Sequence, residues 1–262
     1  MGILNDASSF AATLVRLGRG LYPRVVANQR PDVEHLLELY EYEGCPYCRK
    51  VREVLTELDL DYVDRPVAHG SIRRAELKRL GGKVQVPYLI DPNTGTRMYE
   101  SVDIIGYLNE TYGAGRSAGW RMPVPHVVDT ISAGLATAVR FGRGLRCRGG
   151  LQRGAVLKPL TLYNMEGSPF CRKVREVLCE LDLEHVVRNL PKGSPKRAEL
   201  VQRGGKMQVP YLVDPNTGRE MYESDDIVAY LESTYGPPSA ASAAGEAQGE
   251  AGPRRPGKRA SA

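Results

Sequence analysis

The chain has 262 residues, of which 42% are hydrophobic and 26% are charged, a composition typical of folded globular proteins and unlike that of disordered ones. The net charge of +5 is modest, and no dense basic stripe with interleaved aromatic residues is present, so we expect no nucleic-acid partner. No apolar run approaches the ~18 residues that a membrane span needs. Residues 1–30 lack the pattern of a secretory signal, and we expect a cytoplasmic protein.

The strongest pattern in the chain is an internal repeat. Residues 39–113 align with residues 162–236 without a gap, at a constant offset of 123, and about two-thirds of the aligned positions are identical. A shorter match, LVRLGRGL from Leu14 against AVRFGRGL from Ala138, extends the repeat upstream. The predicted organisation is an amphipathic segment (1–35), a first domain (36–113), a linker that repeats the amphipathic segment (114–160), a second domain (161–236) and a disordered tail (237–262).

The upstream segments need an explanation of their own. Residues 1–30 are rich in arginine and poor in acidic residues, a composition also found in transit peptides. A cleaved address has no reason to recur in mid-chain, so we favour a structural helix that packs on its own domain. A helix lying on a membrane surface is the alternative. In the linker, Trp120 is followed by two prolines, which disfavour a helix until about His126.

The first domain is predicted to alternate strands with helices. Val51, Val54, Leu55 and Leu58 lie at helical spacing and predict an amphipathic helix that ends near Leu60. The other predicted elements are strands at 36–40, 61–65, 86–90 and near 98–99, and helices at 71–80 and from 101. The resulting order, βαβαββα, recurs between residues 162 and 235, and it predicts an α/β fold in which helices cover both faces of an open sheet.

The chain carries five cysteines: Cys45, Cys48, Cys147, Cys171 and Cys179. An odd number with one close pair does not fit the disulfide framework of a secreted protein. Cys45 lies at a predicted strand-to-helix turn. The free N–H groups and the dipole of a helix N-terminus favour a thiolate, so we predict a Cys45 pKa below the usual ~8.5. Cys48 lies one helical turn further on, within reach of a mixed disulfide on Cys45.

Two other interpretations of the cysteine pair remain open. A zinc half-site requires a second pair of ligands, and the four histidines are isolated in the sequence, so we expect no metal. Inert buried thiols are the other possibility. The CPYC motif follows a glycine turn rather than an apolar helix face, and this favours a redox function.

Three motifs, CPYC (45–48), QVPYL (85–89) and YES (99–101), occur in this order and are repeated, with changes, in the second domain. Together they resemble the thioredoxin-fold domains of glutaredoxins and of the N-terminal part of glutathione S-transferases. The resemblance covers residues 36–113 and 162–236, over half of the chain. It implies two tandem thioredoxin-like domains and glutathione as a cosubstrate.

The resemblance also implies roles for individual residues. Cys45 is expected to be the nucleophile and Cys48 the resolving thiol. Pro87 matches the cis-proline of the fold, and Val86 offers its backbone to the cysteinyl part of glutathione. The full set of expected glutathione-binding residues is Tyr47, Lys83, Val86, Pro87, Glu100 and Ser101. For Glu100 and Ser101, which match the residues that hold the γ-glutamyl end, an ordinary helix cap is the alternative.

The second domain carries SPFC in place of CPYC. Ser168 cannot form a disulfide with Cys171, but the remaining positions persist. They are Ser168, Phe170, Cys171, Lys206, Val209, Pro210, Glu223 and Ser224. We expect this copy either to bind glutathione without a dithiol cycle or to be a degenerate copy kept for packing. Two departures are notable: Tyr42 stands where glutaredoxins often have lysine, and the all-helical domain of full glutathione transferases does not follow the first domain.

The leading hypothesis is a glutathione-dependent thiol–disulfide oxidoreductase that acts on protein or small-molecule disulfides. The alternatives are a glutathione transferase or isomerase, a non-catalytic scaffold or redox sensor, and an iron–sulfur site held by Cys45 and glutathione. Cys179 is expected in the core, and Cys147 is either an exposed thiol or a third redox partner.

Overall fold

The structure, a computed structural model, describes residues 3–16, 19–23, 33–113, 126–149 and 157–237. The elements of the first half are α1 (Ile3–Val15), β1 (Leu37–Glu41), α2 (Pro46–Glu57), β2 (Tyr62–Pro66), α3 (Arg73–Gly81), β3 (Tyr88–Asp91), β4 (Thr96–Tyr99) and α4 (Ser101–Tyr112). Those of the second half are α5 (His126–Val139), β5 (Leu160–Asn164), α6 (Pro169–Glu180), β6 (His185–Asn189), α7 (Arg197–Gly204), β7 (Tyr211–Asp214), β8 (Arg219–Met221) and α8 (Ser224–Tyr235).

The predicted order βαβαββα is present in both halves, and α5 begins at His126 as expected. We refer to residues 36–113 as the first unit and to residues 161–236 as the second unit. Trp120 and nearly all of the predicted disordered tail lie outside the described residues. Within the described residues no helix is long and apolar enough to cross a membrane.

The two units share one sheet. In each unit the first two strands are parallel and the other two are antiparallel to their neighbours. Strands β2 and β6 then pair antiparallel, with Tyr62 opposite Val187 and Asp64 opposite His185. The eight strands therefore run in the order β4-β3-β1-β2-β6-β5-β7-β8. Pairing of β2 with β6 removes two open strand edges, which would otherwise be templates for aggregation.

Each unit has an apolar core on both faces of the sheet. In the first unit the larger core includes the fully buried Leu39, Val51, Leu55 and Leu108, which pack between the sheet and helices α2 and α4. A smaller cluster around Tyr40, under α3, lies on the opposite face. Truncation of one such leucine to alanine typically costs about 2–5 kcal/mol of stability. The packing of α2 on the sheet through this core sets the position of the N-terminus of α2.

The amphipathic segments pack on the opposite units. Helix α1 packs on α6 of the second unit, whereas α5 packs on α2 of the first, and the two helices also pack on each other. Ser9 Oγ donates to the carbonyl of Pro169 at 2.7 Å, and Lys50 Nζ donates to Thr130 Oγ1 at 3.1 Å. The prediction that each segment packs on its own domain is therefore wrong. Because the two units present nearly identical surfaces, the sequence of a segment does not distinguish one unit from the other.

Each amphipathic segment also contacts the unit that follows it in the chain, through one buried arginine. Arg16, just after α1, binds Glu53 with two hydrogen bonds of 2.7 and 2.5 Å. Arg140, just after α5, binds Glu176 with the same two distances. Forked arginine–carboxylate pairs of this kind add geometric specificity, and here they fix both helices against both units.

Candidate functional site

The CPYC motif lies where β1 passes into α2. Cys45 is the N-cap of α2, and its Sγ accepts a hydrogen bond from the Cys48 N–H at 3.3 Å. Pro46 occupies the first helical turn, where a missing N–H costs nothing. The Cys45 N–H donates to the Tyr42 carbonyl at 3.0 Å and closes the preceding turn. These local contacts direct the sulfur of Cys45 toward the helix N-terminus.

The two thiols of the motif differ in acidity. The pKa of Cys45 is lowered, chiefly by the hydrogen bond from the Cys48 thiol, with help from the Cys48 and Tyr47 backbone N–H groups and against the effect of burial. The pKa of Cys48 is raised well above its ordinary value, first by burial and then by the same shared hydrogen bond. The direction for Cys45 is the one that the sequence predicted. Of the pair, Cys45 is thus the more readily ionised thiol.

Cys45 is nevertheless well covered, with only 2% of its surface exposed. The turn that follows α5 lies against the residue just before Cys45: the Gly44 N–H donates to the Gly144 carbonyl at 3.3 Å, and Leu145 packs on Gly44. The second GRGL sequence, residues 142–145, forms this turn over Gly44 of the first unit, and residues 19–21 form its counterpart over Gly167 of the second unit. Sequence reasoning expected a more open thiol because it placed these segments elsewhere.

The predicted glutathione-binding residues of the first unit lie at the same sheet edge. Strand β1 ends near Cys45, and Tyr88, at the start of β3, lies opposite Tyr40. Tyr88 also lies opposite Tyr99 at the end of β4. The loop before β3, which carries Val86, and the start of α4, which follows Tyr99, therefore meet at the N-terminus of α2. The pairing of β3 with β1 and β4 begins at Tyr88, so the backbone of Val86 lies outside the paired strands.

The backbone at this edge has two special features. The Val86–Pro87 peptide bond is cis, and Glu100 has φ of 65° and ψ of 115°, a region that non-glycine residues rarely adopt and that costs of order 1–3 kcal/mol. Gln85 Nε2 donates to Glu100 Oε1 at 2.5 Å. Ser101, 5% exposed, opens α4, and among the described residues no side chain caps this helix.

The remaining predicted residues surround this edge. Lys83 Nζ lies 4.5 Å from the centre of the Tyr99 ring, whose hydroxyl donates to the Lys83 carbonyl at 3.0 Å. Tyr47 is half exposed, and Lys50 Nζ lies 5.4 Å from the centre of its ring. The Lys50 ammonium group also binds Thr130 of α5.

The second unit repeats this geometry with serine as the helix cap. Ser168 Oγ accepts a hydrogen bond from the Cys171 N–H at 3.3 Å. The Val209–Pro210 bond is cis, and Glu223 has φ of 66°. The outer residues keep their places: Gln208 Nε2 donates to Glu223 Oε1 at 2.7 Å, Lys206 Nζ lies 3.7 Å from Glu223 Oε1, and Ser224 opens α8. Burial raises the pKa of the Cys171 thiol, so this copy holds no stabilised thiolate.

The helices that flank the two motifs differ. On the second unit, the ring of Phe10 in α1 meets the ring of Phe170 edge-on, with centres 5.5 Å apart. The repeat-equivalent position in α5 is Gly134, where an added Cβ would meet nothing within 4 Å. Gly134 therefore leaves free space at the helix position that an aromatic ring occupies in the second unit.

Sequence reasoning missed a cluster of buried charges behind both motifs. Its central members are each at most 2% exposed: Arg52, Arg175, Glu43 and Glu166. The arginines lie at helix positions that hydrophobic periodicity assigns to the solvent face, and the neighbouring unit covers that face. The available signal was the identity of both arginines and both glutamates between the repeats.

Of the two remaining thiols, Cys179 is buried as predicted, 3% exposed, and its Sγ accepts a hydrogen bond from the Glu43 N–H at 3.4 Å. Cys147 is half-buried, and its N–H donates to the His69 carbonyl at 2.8 Å. Burial raises the pKa of Cys147, which does not favour it as an attacking thiolate. All five cysteines are free thiols.

Comparison with known proteins identifies relatives of part of the chain. A glutathione S-transferase-like protein, tpcF of Aspergillus fumigatus, is 37% identical over 81 residues, which are 31% of this chain and 36% of that protein. An uncharacterised glutaredoxin-like 8.6 kDa protein of the rubredoxin operon of Clostridium pasteurianum is 34% identical over 59 residues, 22% of this chain and 79% of that protein. A solved structure, described as Leishmania TDR1, a unique trimeric glutathione transferase, aligns with a TM-score of 0.29 and 17% identity, over 79% of this chain and 68% of that one.

This chain thus spans little more than a third of the length of the tpcF protein. The sequence profile of the family described as "Glutathione S-transferase, N-terminal domain" matches residues 39–117 and again residues 162–239, more than half of the chain. The resemblance drawn from the three motifs and the tandem α/β fold agree with this match. The chain belongs to the glutathione S-transferase N-terminal domain family and carries two copies of that domain.

Proposed function

We propose that the first unit is a glutathione-dependent thiol–disulfide oxidoreductase, in which Cys45 is the nucleophile and Cys48 the resolving thiol. The observation that carries the proposal is the opposite shift of the two thiol pKa values at the N-terminus of α2, lowered for Cys45 and raised for Cys48. An attacking thiol must be ionised near ambient pH, whereas a resolving thiol need not be.

The reaction consists of thiol–disulfide exchanges. The Cys45 thiolate attacks one sulfur of a substrate disulfide, forms a mixed disulfide and releases the other sulfur as a thiolate, which takes up a proton. Cys48 then loses its proton and attacks the Cys45 sulfur, which releases the second substrate thiol and leaves a Cys45–Cys48 disulfide. Two molecules of glutathione reduce this disulfide and become oxidised glutathione. Where the mixed disulfide holds glutathione, a second glutathione resolves it directly.

The residues at the sheet edge are suited to glutathione. The Val86 backbone, outside the strand ladder, is available to pair with the peptide's own backbone. The uncapped first turn of α4, beginning at Ser101, favours a carboxylate such as that of the γ-glutamyl end. Lys83 supplies a positive charge for the glycyl carboxylate. We propose that the matching residues of the second unit bind glutathione without a dithiol cycle, and that the thiols operate in a reducing compartment such as the cytoplasm.

The test is glutathione-dependent reduction of a small glutathione mixed disulfide, with the wild-type protein compared with Cys45→Ser, Cys48→Ser and Cys171→Ser. Cys45→Ser is expected to abolish turnover, and Cys171→Ser to leave it unchanged. Cys48→Ser should retain the route in which a second glutathione resolves the intermediate. Full activity of Cys45→Ser would refute the proposal.

A glutathione transferase is the second candidate, favoured by the free space at Gly134 and by the retained hydroxyl of Ser168 at a helix cap. Turnover of an aryl-halide acceptor that survives Cys45→Ser and is lost in Ser168→Ala would support this candidate. Absence of both activities in a folded protein would instead support the scaffold or sensor hypothesis.

A further inference from the structure

The loop before Cys45 is held by a side chain of the other unit. Glu43 lies two residues before Cys45 and is 1% exposed. Arg175, in α6 of the second unit, donates from Nε to Glu43 Oε2 at 3.0 Å and from Nη2 to Glu43 Oε1 at 3.3 Å. The two bonds form a forked pair that fixes both the position and the plane of the carboxylate.

The backbone of Glu43 is held as well. Its N–H donates to Cys179 Sγ, also in α6, at 3.4 Å, and its carbonyl accepts from Arg52 Nη2 at 3.3 Å. Cys179 in turn donates to the Gly144 carbonyl at 3.5 Å, in the turn that lies against Gly44. Side chain and main chain of this residue are thus both tied to groups outside its own loop, and α6 supplies two of the ties.

The arrangement is reciprocal. Arg52 of the first unit donates from Nε to Glu166 Oε2 of the second at 3.3 Å, and Arg175 Nη2 lies 3.5 Å from the Glu166 carbonyl. Arg52 and Arg175 therefore share one buried site between the units with three carboxylates, those of Glu41, Glu43 and Glu166. Loss of one member leaves a partner charge buried without full compensation, which is strongly unfavourable.

The protonation state of Glu43 depends on these contacts. Burial alone would raise the pKa of its carboxyl, but the charges of Arg175 and Arg52 outweigh burial and lower the pKa to about 2. Glu43 therefore stays ionised at any working pH while the pair is intact. Without Arg175, the carboxylate loses the forked pair and keeps the Arg52 guanidinium, whose Nη2 lies 3.0 Å from Glu43 Oε2, so the Tyr42–Cys45 turn loses one of its two side-chain anchors.

We propose that Arg175 is a positioning residue for Cys45: through Glu43, the second unit holds the loop in the geometry in which Cys48 hydrogen-bonds to the Cys45 sulfur. The role of this geometry in turnover rests on the proposed function, whereas the effect of Arg175 on the Cys45 thiol can be measured whether or not the protein is an oxidoreductase. The inference gives the second unit a role that does not require its SPFC motif to bind or react with anything.

The experiment measures the Cys45 thiolate directly, by ultraviolet absorbance across a pH titration. For each variant, the absorbance of the same variant with Cys45→Ser added is subtracted as the blank. Arg175→Gln is expected to move the titration midpoint upward by about one pH unit, which means roughly tenfold less thiolate at a pH below both midpoints. Arg175→Lys keeps the charge but loses the fork, and it should give an intermediate midpoint. Arg203→Gln, which breaks an exposed ion pair of the same unit with Glu220, is the matched control and should leave the midpoint unchanged.

A double-mutant cycle keeps the test valid if Arg175→Gln weakens the fold. In a Glu43→Gln background, which removes the buried partner charge, Arg175→Gln should cause little further change in the midpoint, since Arg175 acts through Glu43. Cys179→Val, which removes the sulfur acceptor without changing a charge, should shift the midpoint in the same upward direction. The inference is overturned if folded Arg175→Gln, checked by circular dichroism, titrates like the wild type, or if its effect is equally large with and without Glu43.

These outcomes separate the two proposals. If the wild-type protein reduces no mixed disulfide but the midpoint still responds to Arg175 through Glu43, the positioning inference stands and the proposed function fails. If turnover depends on Cys45 but Arg175→Gln leaves the midpoint unchanged, the proposed function stands and the positioning inference fails.

Discussion

Leu145 packs directly on Gly44: its Cδ2 lies 2.6 Å from the point where a Cβ on Gly44 would stand. The same relationship holds between Leu21 and Gly167 in the second unit, also at 2.6 Å. Each motif is thus preceded by a glycine because a leucine from the opposite segment occupies the space of its side chain. The leucine therefore lies next to the residue that caps the helix in each unit.

Leu145→Ala should uncover Cys45. The side chain is only partly buried, so we expect a modest stability cost of about 1–2 kcal/mol. The rate of Cys45 alkylation by iodoacetamide should rise, on the order of tenfold if about 1.4 kcal/mol of closing free energy is lost. Site-specific mass spectrometry measures the rate. Leu21→Ala, the equivalent change over the second unit, is the control, and an equal acceleration of Cys45 alkylation in that variant would contradict the assignment of the cover.

Gly134→Phe should fill the free space at this position of α5. The substitution introduces the ring that Phe10 presents to Phe170 in the second unit. We expect kcat/KM for bulky aromatic disulfides to fall by about 5- to 150-fold, which corresponds to the ~1–3 kcal/mol by which a pocket discriminates between ligands of different size. Reduction of a small aliphatic disulfide should change little. Gly134→Ala fills less space and is the control; an equal loss with both substrates would indicate a general disruption instead.

Asp64→Asn should change the pH dependence of stability. Burial is the main cause that raises the pKa of Asp64 to about 7 from its ordinary 3.8, beside His185 across the β2–β6 seam. In the folded state Asp64 therefore binds a proton that the unfolded chain releases between about pH 4 and 7, and its contribution to stability falls as pH rises through that window. The neutral amide avoids this loss. Denaturant unfolding should show the variant gaining roughly 2–4 kcal/mol relative to the wild type between pH 4 and 8.

The opposite sign for Asp64→Asn, a relative loss of stability toward pH 8, would mean that Asp64 is charged and paired at the seam. His185 provides a separate check because its pKa is lowered to about 4 by burial. The unfolded chain binds a proton at histidine below its usual pKa, and the folded protein resists it, so His185 costs stability as pH falls from about 6.5 to 4. This contribution should persist in Asp64→Asn.

Gly81→Ala should disturb the glutathione edge from a distance. A Cβ on Gly81 would lie 2.0 Å from the Tyr99 hydroxyl, which donates to Lys83. The ring must shift, at a cost of about 1–3 kcal/mol, and it precedes Glu100 directly. We expect weaker glutathione binding by calorimetry, with partial recovery in Gly81→Ala/Tyr99→Phe.

Gly106 in α4 offers a matched control for this substitution, since an added Cβ there meets nothing within 4 Å. Gly106→Ala should leave glutathione binding unchanged and raise stability by up to about 1 kcal/mol through helix propensity. Equal effects of both substitutions on binding would exclude the proposed path through Tyr99.

The elements of each unit could be predicted from sequence because they depend on local patterns. The spacing of Val51, Val54, Leu55 and Leu58 identifies one helix face, and the prolines before His126 delay the next helix. The pKa direction of Cys45 also follows from local structure, since a helix N-terminus and the thiol three residues on supply its main causes.

The relationships between the units could not be predicted in the same way. Strand β2 is bounded by local signals, but its partner β6 is one of several exposed edges that would satisfy the same hydrogen bonds. The arginines at 52 and 175 fall on the polar side of their helices, and periodicity alone assigns that side to water. Two nearly identical units make exchanged and unexchanged packing of α1 and α5 equivalent at the level of sequence.

The exchange of α1 and α5 has a consequence for the newborn chain. The first unit meets its covering helix as soon as residues 126–147 emerge, whereas α1 leaves the ribosome first and its partner Pro169 lies 160 residues behind Ser9. At ordinary rates of synthesis this separation lasts on the order of 10–30 s. During that time the amphipathic N-terminal helix has no second unit to pack on, whereas the first unit can already pack on α5. The contacts of Glu43 with α6 form only later, so translation order separates the folding of the CPYC unit from the fixing of its Cys45 loop.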